Sequence, residues 1–232
     1  MNGNEEIIST NWIAGFWKRV FAFFIDVFLL GILGFIIGNI FSEFFVSLGS
    51  FGRIFGFIIA LIYFGVLNSN ISNGQTIGKK ILSIKVVNSE NGAISTGKSF
   101  LRFSIVGIPY FLNGMILPNY FLSFPLLNIN ALIVFGGLFS IVYLFLFNKG
   151  TIQSFYDFFI GTFVVNSSVD VSEIKPIWKP HIIIVAFVCT ATFLGSIFFS
   201  NLSKEEPFSN LLEIQNELIN NSSVNYATIK TG

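Results

Sequence analysis

An aspartate inside a long apolar run is the first residue of this chain that could carry chemistry. Asp26 interrupts the run at 17–41, and Arg19 stands at the entrance of the same run. About twenty apolar residues suffice to cross a bilayer as a helix, and a carboxylate at that depth costs about 2.5–3.5 kcal/mol on insertion scales. Such a group is expected to face the protein interior, where it could exchange a proton for a cation.

Arg19 is the first candidate partner of this aspartate. Seven residues make almost two helical turns, so Arg19 and Asp26 share one helix face with a rise of roughly 10.5 Å between them. Because that rise is long for a direct ion pair, we expect each charge also to meet a group on another helix. Asp157, in a later aromatic stretch, and Arg102, after a lysine-rich loop, are the other candidates. The alternatives are an ion or proton site and a static ionic cluster.

The composition places the chain in a membrane. The sequence is 53% hydrophobic and only 11% charged, with 31 phenylalanines, whereas a soluble domain carries about 25% charged residues. The net charge of +1 provides no basic field that would attract nucleic acid. We therefore predict an integral, multi-pass protein of the cell membrane, with the lipid bilayer as its main partner.

The apolar runs predict an all-α polytopic bundle of about five transmembrane helices. Strong runs lie at 17–41, 51–68, 131–147 and 180–200. A weaker run at 103–122 contains Pro109, Asn113 and Pro118, which interrupt a helix, so the count falls to four if this piece is interfacial.

Loop charge predicts the orientation of the bundle. With five spans, all the Lys and Arg residues except Arg53, Lys204 and Lys230 lie on the side of the N-terminus. Positive residues in short loops mark the cytoplasmic side. We therefore expect the N-terminus inside, a cytoplasmic linker at 169–179, and the C-terminus outside. The tail at 201–232 fits either an amphipathic helix or a solvated, half-ordered segment.

The polar stretch GQTIGKK at 74–80 follows the second span. It lacks the GxxxxGK[ST] spacing of a phosphate loop. We instead expect Gly74 and Gly78 to let the chain turn, while Lys79 and Lys80 contact anionic lipid headgroups. The candidate conformational loop consists of Gly74, Gln75, Thr76, Gly78 and Lys79.

A small cytoplasmic β element is predicted from two β-prone pieces, at 81–96 and at 162–166. The first contains a Ser-Glu-Asn-Gly turn signal and suggests a hairpin. The residues at 84–87 and 163–165 could also pair with each other if they lie on the same face of the membrane.

Enzymatic and metal chemistry find no support in the residues. His181 is the only histidine and Cys189 the only cysteine, so no ligand spacing for a metal exists. The serines have no base in a recognisable arrangement. We therefore expect no enzyme activity, no metal and no cofactor.

Three pieces of the chain together resemble one family. RVFAFFID at 19–26 has the form RxxAxxID, GQTIGKK gives a Gly-Gln-Thr-x-Gly-Lys loop with IKVV behind it, and FYDFFIGTFVV gives a later aspartate followed by Gly-Thr and valines. In this order they resemble the RDD family of small multi-span membrane proteins over roughly 11–168. The resemblance implies an RDD-like transmembrane domain at 1–168, with an additional helix and the tail beyond it. Its named positions would be Arg19, Asp26 and Asp157.

The same resemblance implies a role in transport. Some family members are described as cation/proton antiporters, so a monovalent cation or a proton is the implied partner. Members often carry a histidine before the second aspartate, where this chain has Tyr156, and this removes an imidazole from any proton relay. The alternative is a non-transporting scaffold or accessory subunit, bound to a membrane protein or a second copy. In that case Arg19, Asp26 and Asp157 would form a structural ionic cluster.

Overall fold

The computed structural model describes residues 12–113, 124–148, 152–168 and 179–202, with 209–211, 213–214 and 217 beyond them. Nearly all of the predicted linker at 169–179 and most of the predicted tail lie outside these residues. The described part is mainly helical. Its helices and strands are α1 (Phe16–Ile40), α2 (Ser42–Leu48), α3 (Gly52–Leu67), α4 (Ile77–Ile81), β1 (Ile84–Val87), α5 (Thr96–Leu112), α6 (Phe124–Ala131), α7 (Gly137–Phe147), α8 (Phe155–Ile160), β2 (Phe163–Asn166) and α9 (Lys179–Leu202).

Among the described residues, four helical stretches are long enough and apolar enough to cross a membrane. They are Phe16–Ile40, Ser42–Leu67, Asn128–Phe147 and Lys179–Leu202. The last of these matches the predicted additional helix, and the third includes a π-helical turn at Leu132–Gly136. Large apolar side chains on these stretches face outwards, whereas Arg19 and Asp26 of the first stretch are buried inside. This distribution is that of a helical bundle whose solvent is lipid, and it confirms the predicted all-α polytopic fold.

The weak run predicted at 103–122 belongs to a helix that begins earlier than expected. α5 starts at Thr96, where the Ser95 hydroxyl caps it by accepting the Lys98 N–H. It packs antiparallel along α3, as the order of their contacts shows. A Cβ at Gly65 would lie 2.8 Å from the Phe100 ring near the start of α5, and a Cβ at Gly56 would lie 3.1 Å from the Phe111 ring near its end. At 17 residues α5 is about 25 Å long. Residues 114–123 lie outside the described part.

The two short strands pair with each other, as predicted. β1 and β2 are antiparallel, with Ile84 opposite Asn166 and Val87 opposite Phe163. The strands must therefore lie on the same face of the membrane. Only Asn128–Phe147, of the four membrane-length stretches, lies between them. Paired strands need an even number of crossings between them, so the pairing favours the five-span alternative over the four-span one, and α5 is the described helix that could contribute the second crossing.

The hairpin predicted within 81–96 is wrong. The whole of this stretch is described, and β1 is its only strand. The chain turns after β1, where the Asn88 N–H donates to the Gly92 carbonyl at 2.9 Å. It then leaves the sheet. The Ile94 carbonyl accepts a hydrogen bond from the Asn70 N–H at 2.8 Å, and not from a strand paired with β1.

The segment before α1 joins this sheet. Ile13 forms a β-bridge with Val165, and the Trp12 ring lies 6.1 Å from the Phe163 ring. Trp12 is only 3% exposed. The apolar core therefore lies at the sheet and comprises two clusters. One consists of Ala14, Ala22, Ile84, Val86, Ile94 and Val164, and the other of Trp12, Ile13, Val87, Phe163 and Val165.

Candidate functional site

The carboxylate of Asp26 is buried where α1 meets α4. Its Oδ1 accepts a hydrogen bond from the Tyr63 hydroxyl at 2.7 Å and one from the Gly78 N–H at 2.8 Å. Its Oδ2 accepts from the Thr76 hydroxyl at 2.6 Å. We call these four residues the Asp26 site. All three donors are neutral, and no arginine in the described part of the chain bonds this carboxylate.

The GQTIGKK stretch is shaped to bring its donors to Asp26. Thr76 is the N-cap of α4, so its oxygen accepts the Lys79 N–H at 3.3 Å while its own hydrogen points to the carboxylate. Gly78 lies directly against α1, where a Cβ would come within 2.1 Å of the Ala22 carbonyl oxygen. Gly74 has a φ of +70°, which favours glycine, and makes the turn that leads into this loop. Gly78 is therefore needed for close packing, whereas Gly74 is needed both for its positive φ and for its approach to β1, where a Cβ would lie 2.2 Å from the Val86 carbonyl oxygen.

The second carboxylate, Asp157, lies in the first turn of α8 among charged partners. Its Oδ1 accepts from Nε and Nη2 of Arg102, both at 2.8 Å, and from the Thr162 hydroxyl at 2.7 Å. Its Oδ2 accepts from the Ser154 hydroxyl at 2.9 Å, and Nη1 of Arg19 lies 4.0 Å away. We call these five residues the Asp157 site.

Arg19 connects this site to the sheet. Its Nε donates to the Ala14 carbonyl and its Nη2 to the Val164 carbonyl, both at 3.0 Å. Its Nη1 donates to the Ile152 carbonyl. Arg19 therefore satisfies backbone carbonyls from three chain segments, and its ion pair with Asp157 is the looser of the two at that carboxylate.

The electrostatics of the Asp157 site favour the ionised carboxylate. Burial alone would raise the pKa of Asp157, but the nearby guanidiniums of Arg102 and Arg19 outweigh it and hold the pKa below its usual range. Tyr156 adds to the same site, because the Arg102 guanidinium carbon lies 4.7 Å from the centre of its ring. The residue that stands in place of a family histidine therefore stacks on an arginine.

The prediction of one ionic cluster that contains Arg19, Asp26, Arg102 and Asp157 is therefore wrong. Arg19, Arg102 and Asp157 do come together, but Asp26 lies apart from them. Arg19 is near the start of α1, level with α8 and the sheet, whereas Asp26 is almost two turns further along, level with α4. Each charge does meet groups from other elements, as expected. Those of Asp26 are hydroxyl and amide donors that the charge pattern of the sequence does not reveal.

A cavity of about 280 Å³ lies between the two sites. Charged side chains from both sites line one part of it, and apolar side chains line the rest. We call it the central cavity. Its charged and polar lining residues are Arg19, Asp26, Asn68, Lys79, Arg102 and Tyr156; its apolar ones include Val20, Phe23, Phe24, Phe64, Phe103, Val106, Ile141 and Phe145.

Lys79 points into this cavity, so the prediction that it contacts lipid headgroups at the surface is wrong. Its ammonium donates to Oδ1 of Asn68, at the end of α3, whereas the neighbouring Lys80 is exposed. Burial lowers the pKa of Lys79 to about 7; Arg102 adds to the lowering, and Asp26 opposes it. Tyr63 and Asn68 were missed from the sequence, where the only signal was a polar residue within or at the end of an apolar run.

Among the described residues, no group of three or more His, Cys, Asp or Glu side chains comes together. The lone histidine, His181, lies 3.0 Å from the Tyr143 hydroxyl through its Nδ1.

Comparison with known proteins identifies one family. The sequence model of the RDD family matches residues 13–161, a range that contains Arg19, Asp26, Arg102 and Asp157. The uncharacterized protein YxaI of Bacillus subtilis (strain 168) is 30% identical over 125 residues, which cover 44% of this chain and 79% of that protein. No solved structure matches the chain. The matched range ends before β2 and α9.

Proposed function

This chain belongs to the RDD family of integral membrane proteins, and on that premise we propose that it is a small transporter of the cell membrane that exchanges protons at the central cavity. One observation carries the proposal. Asp26 and Lys79, two side chains that can gain and lose a proton, line the same cavity between the helices.

The surroundings of Asp26 support a carboxylate that changes its protonation state. Its partners Tyr63 and Thr76 are hydroxyls, which can rotate and accept a hydrogen bond as readily as they donate one. Protonation of Asp26 therefore leaves no buried arginine without its counter-ion. Asp157 differs, because protonation of its carboxylate would leave the buried Arg102 guanidinium without a counter-ion.

Exchange of a proton for a monovalent cation is the form of transport that family membership suggests. Both oxygens of Asp26 already accept hydrogen bonds. A cation at this carboxylate would require the Tyr63 and Thr76 hydroxyls to rotate, so that their hydrogens point away from Asp26. Their oxygens could then act as further ligands of the cation.

The direct test is proton flux into liposomes that contain the purified protein and a pH-sensitive dye. We expect Asp26→Asn to abolish a flux that the wild type supports, and Glu43→Gln, which removes an exposed acid on α2, to leave it unchanged. Sodium, potassium and choline gradients would show whether a cation is exchanged. Unchanged flux in folded Asp26→Asn would remove the basis of the proposal.

We propose a cytoplasmic N-terminus and an external C-terminus. The excess of Lys and Arg on the N-terminal side supports this orientation. A reporter fused after Gly232 tests it, and a cytoplasmic signal from that reporter would contradict it.

A second candidate function is a non-transporting scaffold. It is favoured by the Asp157 site, because its ion pairs join α1, α5 and α8. Such a fixed junction suits a protein whose helices do not move relative to one another. This candidate requires a membrane partner or a second copy. Cross-linking in native membranes tests it: a protein that is recovered alone and that moves protons argues against the scaffold.

A further inference from the structure

The charges around the central cavity do not cancel. Among the described residues that line it or bond to its charged groups, Arg19, Arg102 and protonated Lys79 are cationic, whereas Asp26 and Asp157 are anionic. Uncompensated charge is costly in a medium of low polarity, so a binding partner of the cavity is expected to be negative.

Lys79 is the cation available to such a partner. The nitrogens of Arg19 donate to three backbone carbonyls, and Arg102 is held by Asp157 and Thr162. Lys79 donates to the neutral amide oxygen of Asn68, and no carboxylate in the described part of the chain forms an ion pair with it. An ammonium has three hydrogens, so Lys79 keeps donor capacity directed into the cavity.

The remaining walls of the cavity require an apolar partner. Val20, Phe23 and Phe24 of α1 line one part, and Phe103 and Val106 of α5 line another. A small hydrated anion would lose water at these walls without gaining contacts, whereas a hydrocarbon chain would fill them.

We propose that the central cavity binds an anionic amphiphile, a single carboxylate or phosphate headgroup on an acyl chain, with Lys79 as the cation that pairs with the headgroup. Two sources share this chemistry: a fatty acid and an anionic phospholipid of the bilayer. The binding site does not depend on transport. A protein that binds such a molecule through Lys79 and moves no protons keeps this inference and loses the transport proposal.

The test uses the full chain in maltoside micelles and measures the thermal unfolding midpoint during titration with oleate, phosphatidylglycerol or zwitterionic phosphatidylcholine. Ligands that bind only the folded state raise this midpoint, and at a given concentration the tighter ligand raises it more, by an amount that grows with the logarithm of the ratio of concentration to Kd. We expect oleate, phosphatidylglycerol or both to bind at least tenfold more tightly than phosphatidylcholine, and the one that binds identifies the source. Lys79→Gln should weaken that binding about tenfold, since a hydrogen bond to a charged group is lost.

Lys80→Gln is the matched control, because Lys80 is the exposed neighbour on the same short helix. A second pair of variants covers the case in which Lys79→Gln fails to fold. Val106→Phe fills the apolar part of the cavity and should weaken binding, whereas Leu101→Phe on the exposed face of α5 should not. Equal binding of all three lipids, or equal binding by Val106→Phe and Leu101→Phe, would overturn the inference.

Discussion

The two buried carboxylates of this protein are stabilised in opposite ways. Asp157 is bound by Arg102, with Arg19 close by, whereas Asp26 is bound by two hydroxyls and one backbone N–H. Both side chains are 1% exposed, so burial does not separate them. The difference lies in what happens when a proton arrives: Asp157 would leave two guanidiniums without a counter-ion, whereas Asp26 would only reorient hydroxyl groups.

This contrast separates a fixed ionic junction from an adaptable site within one small bundle. The Asp157 site joins elements that are distant in sequence and holds them still. The Asp26 site faces the same cavity, and its donors are neutral, so a neutral side chain at position 26 leaves no buried guanidinium without a counter-ion. The two motif aspartates are therefore not equivalent, and substitutions should tell them apart.

The largest effect is expected for Asp157→Asn. Loss of this charge leaves buried arginines unpaired, which costs about 3–5 kcal/mol of the free energy of unfolding. Asp26→Asn should cost less, about 1–3 kcal/mol, because only hydrogen bonds from neutral donors are disturbed. The measurement is the unfolding midpoint and the yield of monodisperse protein in detergent. An Asp26→Asn variant as unstable as Asp157→Asn would break the comparison.

Gly78→Ala should damage the Asp26 site alone. The new Cβ would lie 2.1 Å from the Ala22 carbonyl oxygen and 3.0 Å from Oδ1 of Asp26, so α4 must move away from α1. We expect a loss of about 1–3 kcal/mol in the free energy of unfolding. Gly97→Ala is the control, because nothing lies within 4 Å of its Cβ position. If the two variants unfold at the same midpoint, the close contact between α1 and α4 is not required.

Tyr63→Phe should have a smaller effect. It removes one of the three donors to Asp26 and leaves the ring in place, so a loss of about 1 kcal/mol is expected. The exposed Tyr110→Phe on α5 is the matched control. Thermal unfolding of both variants in one detergent would measure the difference, and an unchanged midpoint for Tyr63→Phe would show that the remaining two donors suffice.

The smallest effect concerns pH. The pKa of Lys79 is lowered to about 7 in the folded protein, so the ammonium loses its proton as pH rises through that value. Affinity for phosphatidylglycerol, whose phosphodiester stays ionised, should therefore decrease several-fold between pH 6 and pH 9. Lys79→Gln should remove this pH dependence. Besides burial, the charged groups that act on Lys79 are Arg102, Asp26, Asp157 and Arg19, and Tyr156 lines the same cavity.

Much of the fold can be predicted from the sequence, because the apolar runs and β-prone pieces are local signals. The pairing of β1 with β2 followed from their composition and from the number of crossings between them. The separation of the charged residues into an Asp26 site and an Asp157 site could not be predicted in this way. It depends on where α4 packs along α1, which is set by the contact between Gly78 and Ala22. The inward direction of Lys79 was missed for the same reason: α4 has only five residues, and no periodicity shows which way it faces.

The contact of Arg19 with β2 has a consequence for the order of assembly. The Arg19 guanidinium and the Ala14 N–H both bond the Val164 carbonyl, and Arg19 and Val164 are 145 residues apart in sequence. α1 is therefore synthesised long before β2, which supplies this carbonyl. Contacts of such separation form late. A nascent chain that stops before β2 leaves Arg19 without the carbonyl that completes its bonds, so we expect α1 to reach its final position only after β2 has been made.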